Sequence, residues 1–136
     1  MPFMVLTSEY ISLDGIDLSE YTRKGELGIE VEEKEVTNYA SAGWKVVIGG
    51  LKSGELGVEF LQDFANTRID SIMWPKLGLV VPFEVRPTNA AVGTSNPKYT
   101  GSVLIKEWKP IEGGVGDEAT SSASFPTSGP VLRATA

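Results

Sequence analysis

The segment Glu26-Leu27-Gly28-Ile29-Glu30-Val31-Glu32 alternates acidic and apolar residues with a period of two, the pattern of a strand with one face on a core and the other in water. It predicts that Leu27, Ile29 and Val31 point inward. The same alternation in Glu55-Leu56-Gly57-Val58-Glu59-Phe60 predicts a buried set of Leu56, Val58 and Phe60. Between them, Trp44-Lys45-Val46-Val47-Ile48 is rich in β-formers and is closed by Gly49-Gly50. The three runs are therefore expected to form a meander of three consecutive strands.

The period changes at Ala65, Ile69, Ile72 and Met73, which recur at helical spacing, with Asn66 placed to cap the first turn. Pro75 disfavours helical geometry at Trp74 and keeps this helix short. Residues 79–85 alternate again, and Pro82 inside them predicts an edge strand or a local irregularity. Residues 89–97 read as a loop. Residues 98–109 read as a long strand, with Tyr99, Val103 and Ile105 on one face and Leu104 and Trp108 on the other, so both faces should be covered. A glycine-rich turn at residues 113–116 leads to a Ser/Thr-rich strand at residues 119–125 and a short last one at residues 131–134. Asp14-Gly15 reads as a hairpin turn. The expected fold is mainly β: a sandwich or open barrel of about seven or eight strands with one short flanking α-helix, in a single domain spanning residues 1–136.

Composition narrows the chemistry. The 136 residues include no histidine and no cysteine. Histidine is the commonest general base and transition-metal ligand, so its absence removes the standard serine and cysteine triads and most hydrolase mechanisms. No thiolate metal site or disulfide is possible. The clusters Gly49-Gly50 and Gly113-Gly114-Val115-Gly116 lack the Lys-Ser or Lys-Thr of a phosphate loop and read as turns. Asp14-Gly15-Ile16-Asp17 lacks the spaced ligands and closing glutamate of a calcium loop. The pairs Glu30 with Glu32 and Glu55 with Glu59 lie at strand spacing opposite an apolar face and read as solvated rather than as glycosidase pairs. The expectation is a non-enzyme without cofactor or metal. A net charge of −6 argues against gripping nucleic-acid phosphates, which are held by Lys and Arg. No apolar run approaches the roughly 18 residues of a membrane span, and Met1-Pro2-Phe3-Met4-Val5-Leu6 lacks the flanks of a signal peptide, so no membrane partner is expected.

The order of the pieces resembles the tail tube (major tail) proteins of long-tailed bacteriophages. Ile16-Asp17-Leu18-Ser19-Glu20-Tyr21 is similar to that family's opening segment, and Glu35-Val36-Thr37-Asn38-Tyr39-Ala40 to its first long loop. Gly50-Leu51-Lys52 through Val58-Glu59-Phe60-Leu61-Gln62-Asp63-Phe64 resembles its glycine turn, strand and approach to the helix. Ser95-Asn96-Pro97-Lys98-Tyr99-Thr100-Gly101, and Gly114-Val115-Gly116-Asp117 through Phe125-Pro126 to Gly129, resemble its final strands. Residues 1–13 fall outside the resemblance.

The resemblance implies a structural virion protein, assembled in the host cytoplasm, whose rings, usually of six subunits, join their sheets into an inner barrel. The rings stack into a hollow tail tube, capped and measured by partners such as terminator and tape-measure proteins, through which DNA passes during ejection. It makes Glu26, Glu30, Glu32, Glu55 and Glu59 candidates for the lumen wall, where acidic side chains repel DNA. The segment Lys34-Glu35-Val36-Thr37-Asn38-Tyr39-Ala40-Ser41-Ala42-Gly43 becomes the candidate ring-stacking loop. Two other readings fit the same sequence: a tail terminator or related injection-system tube protein, and, from another class, a monomeric β-sandwich binding module such as a capsid decoration protein.

Overall fold

A computed structural model describes residues 3–136; Met1 and Pro2, where the opening apolar run begins, lie outside them. Among the described residues, eight strands form two antiparallel sheets. The first has the order β2-β1-β5-β6-β8, from β1 (Tyr10–Leu13), β2 (Ile16–Asp17), β5 (Val80–Arg86), β6 (Lys98–Leu104) and β8 (Leu132–Ala134). The second has the order β3-β4-β7, from β3 (Thr22–Glu35), β4 (Val47–Leu61) and β7 (Thr120–Pro126). A five-residue helix, α1 (Ile69–Met73), follows β4 and buries Ile69 and Met73. The fold class is thus the one the sequence predicts.

The inner faces meet in a core built from Ile11 and Leu13 of β1, Leu56, Val58 and Phe60 of β4, Val81 and Phe83 of β5, Val103 of β6, and Ala123 and Phe125 of β7. The expected buried set of β4 is therefore correct. Gly25 lets the sheets approach closely, because a Cβ there would overlap the side-chain ends of Glu9 and Ile11. The Asp14-Gly15 turn also forms as expected: both residues take positive φ, 54° and 77°, and Leu13 pairs with Ile16 across it.

Four sequence expectations need correction. The meander of three strands is a hairpin of two long ones: Gly49-Gly50 closes nothing, because β4 runs through it. Val31 opposes Lys52 whereas Glu33 opposes Gly49, so β4 carries one extra residue there, with Gly50 and Leu51 in the bulge and Gly49 paired beside it. Trp44 to Val46 lie in the connecting loop instead of a strand. Second, Pro82 does not mark an edge, since β5 is paired on both sides. The last β1 pair is Leu13 with Phe83, and the Pro82 carbonyl accepts from the Asp14 amide at 2.7 Å. The amide that proline lacks would point to where β1 has already turned away.

Third, the helix cap is Arg68 with extended backbone, not Asn66. The preceding turn is organised by Asp63, whose carboxylate accepts from the Ala65 amide and the Arg68 guanidinium. Trp74 keeps helical angles despite Pro75, which falls in the first turn of a 3-10 segment, Trp74–Lys76, where a missing amide costs nothing. Fourth, β6 ends at Leu104, and residues 105–109 continue without ladder pairing while Ile105 and Trp108 still reach the core.

Candidate assembly surface

The long β3–β4 hairpin positions every residue singled out from the sequence. Antiparallel partners share a face, and residues two apart on a strand share it too. Along β3, Glu26, Glu30 and Glu32 alternate onto one face; in β4, Glu55 stands opposite Gly28 and Glu59 opposite Lys24, on the same face. All five glutamates therefore line one side of the second sheet. Glu26, Glu30, Glu55 and Glu59 border a shallow concavity with Lys24, Ser53 and Ser122.

Much of the positive charge on this side is paired locally. Lys34 pairs with Glu32 at 2.6 Å, and Arg23, in a bulge of β3, reaches Glu59 at 3.5 Å and also pairs with Glu118. The Arg23 guanidinium holds the Glu118 carboxyl below its usual range, chiefly through its hydrogen bond. Exposed pairs of this kind contribute little stability and leave the face predominantly acidic.

The opposite face changes character along its length. Near the base, Leu27 opposes the buried Leu56 and packs against the core. Beyond it the hairpin leaves its support. β7 pairs with β4 only from Glu55 to Leu61, and Thr127 closes that end by exchanging hydrogen bonds with the Gly54 backbone. From Ser53 to Val47 the hairpin is a two-stranded arm, roughly 23 Å long at 3.3 Å per residue.

Here the expectation that Ile29 and Val31 point into the core fails: they are 51% and 53% exposed, Ile29 bordering an open groove with Leu6, Val85 and Tyr99 and Val31 lying beyond it. Val47, opposite Glu35, is also bare on this face at 46%, whereas Ile48, opposite Lys34, and Leu51, next to Lys52 in the bulge, are bare on the glutamate side at 56% and 80%. Isolated two-stranded hairpins are marginal in water, and apolar side chains left bare on both faces of such an arm call for a partner.

The candidate stacking segment divides between strand and loop. Lys34 and Glu35 end β3; the rest forms the hairpin tip, with a 3-10 turn at Tyr39–Ser41. The tip is internally bonded: the Asn38 side chain accepts from the Ala40 amide, the Ser41 hydroxyl accepts from the Asn38 amide, and the Thr37 hydroxyl accepts from the Val46 amide. Tyr39 and Trp44 stand exposed on it. Sequence reasoning missed the apolar arm. Its signal was present in Val46-Val47-Ile48, three consecutive β-branched residues that put apolar side chains on both faces of the strand's start.

No protein-family model matches the chain, and no curated protein matches it at a significant level. Solved structures do. A chain in the virion of a native gene transfer agent particle superposes with a TM-score of 0.69 at 20% identity, covering 93% of this chain and 95% of that one. A chain in the tail of an empty particle of that kind, solved with C6 symmetry, gives 0.63 at 19% identity, covering 82% and 81%. The chain shares their fold.

Proposed function

We propose that the chain is the subunit of a tail tube in a phage-like virion. Six copies form a ring, the β3-β4-β7 sheets join edge to edge around a bore, and rings stack through the hairpin arms. The observation that carries this reading is the arm: a two-stranded extension with Val31 and Val47 bare on the face away from the glutamates and Ile29 half exposed at its base, which neighbouring subunits would cover. The fold shared with a C6-symmetric tail supports it.

In such a ring the five-glutamate face lines the lumen, and the tip with Tyr39 and Trp44 inserts against the adjacent ring. DNA passes without specific contacts, because a wall of carboxylates offers phosphates no counterion-releasing partner. Partners outside the tube are the proteins that measure and terminate it. The subunit carries no catalytic role; it works as a wall. Electron microscopy of the concentrated protein tests the reading. Open-ended hollow tubes are expected, and a strict monomer at every concentration would contradict it.

A further inference from the structure

The two edges of the β3-β4-β7 sheet are not alike. β7 pairs with β4 through one side of its backbone, and the amides of Thr120, Ser122 and Ser124 are each taken by an acceptor outside the sheet. The Ser124 amide donates to the Glu107 carboxylate at 3.0 Å, the Ser122 amide to the Glu112 carboxylate at 3.1 Å, and the Thr120 amide to the Glu112 carbonyl at 3.2 Å. The Ser122 hydroxyl adds a bond to the other Glu112 oxygen at 3.2 Å. On β3, among the described residues, no hydrogen bond reaches the outer backbone edge between Lys24 and Glu35.

The segment carrying the two carboxylates is fastened at a few points. Ile105 and Trp108 are buried, the Trp108 indole donates to Asp70 at 3.0 Å, and the Gln62 side-chain amide donates to the Pro110 carbonyl at 2.8 Å. Between Ile111 and Glu118 the chain is largely exposed and turns through Gly113 and Gly116, both at positive φ. Its far end is held by the Gln62 backbone amide, which donates to the Ala119 carbonyl at 3.0 Å, and by the exposed pair of Glu118 with Arg23.

We infer that residues 105–119 act as a displaceable guard on the β7 edge, closing it to sheet extension in the free subunit, while β3 is the open edge. The occupant that replaces the guard is β3 of a second copy, which rests on the tube reading above. The guard works in two ways. Its carboxylates hold the amides an incoming strand would need, through charge-assisted bonds stronger than the backbone bonds replacing them. They also place two negative charges where the approaching β3 brings Glu26, Glu30 and Glu32, and like charges across a sheet repel. Spontaneous pairing of free subunits is slowed, and a template that displaces the segment releases it.

The test compares the full chain with Glu107→Ala/Glu112→Ala and with Glu107→Gln/Glu112→Gln, which keeps an oxygen acceptor without the charge. In dilute monomer, exchange of the Ser122 and Ser124 amides, read by NMR, should quicken about tenfold in the alanine variant and less in the glutamine variant. The lag before association, followed by light scattering at higher concentration, should shorten in the same order. Unchanged amide exchange, or an unchanged lag in a variant whose amides have opened, overturns the guard. If the alanine variant does not fold, the glutamine variant decides on the same two readouts. Faster association into particles that are not tubes supports the guard and removes the tube; wild-type tubes with an unaltered variant lag do the reverse.

Discussion

Replacing Ile29 and Val31 together by serine separates a subunit whose arm awaits a partner from one whose arm is already core. Both side chains are about half exposed in the free subunit. Full burial of such a residue stabilises by about 1.5–3 kcal/mol, so the half still open is worth roughly 1 kcal/mol per residue when a neighbour covers it. Two residues give about 2 kcal/mol per subunit contact, or about a 30-fold weaker association constant for the variant. The half already covered is worth a similar amount, so free-subunit stability should fall by about 2 kcal/mol at most, short of the loss for emptying a core. Urea unfolding of dilute protein reads the second quantity, and sedimentation velocity across a concentration series reads the first. A loss of more than about 3 kcal/mol in the free subunit, the range for emptying a core, would refute the reasoning. So would unaltered association.

The remaining predictions concern the core, the acidic face and the Asp63 turn. Phe125→Ala removes a fully buried ring from β7 and should cost about 3–5 kcal/mol by urea denaturation; a loss under about 1 kcal/mol would mean that the sheets are not packed there. Glu30→Lys with Glu55→Lys should leave assembly intact but make tubes retain short duplex DNA at low salt and release it at high salt; no retention at any salt would exclude both positions from the bore. The Asp63 carboxyl is held below its ordinary value near 3.8, first by the Ala65 amide and then by Arg68. Its contribution is therefore complete above that ordinary value and is lost as pH falls through the lower folded-state pKa. Asp63→Asn should show a shallower fall in urea midpoint than wild type between about pH 5 and pH 2, and parallel curves would rule Asp63 out as a source of acid sensitivity.

Period-two alternation reports which residues share a face, and it located the five glutamates on one side together with the buried set of Leu56, Val58 and Phe60. It does not report whether anything covers a face. Ile29 and Val31 carry the pattern of core residues yet stand half exposed, because the cover of a face comes from another layer, which their own strand does not encode. Gly49-Gly50 misled for a related reason: glycine pairs punctuate turns and also relieve bulges, and only register distinguishes the two. Pro82 was misplaced because its cost depends on what its missing amide would have faced, here a strand that has already ended. The proposed β7 guard depends on Glu112 meeting Ser122 ten positions on and Glu107 meeting Ser124 seventeen positions on, in a chain with no repeating pattern, so no local signal marks it.

The most direct measurement of the central claim is a cryo-electron microscopy reconstruction of tubes grown from the purified chain. The account predicts stacked six-fold rings whose inner wall is built from the β3-β4-β7 sheets. Glu26, Glu30, Glu32, Glu55 and Glu59 should face the bore, and Ile29, Val31 and Val47 on the opposite face should be covered by neighbouring subunits. A reconstruction with those glutamates on the outer surface, or with the hairpin arm still bare, would contradict it.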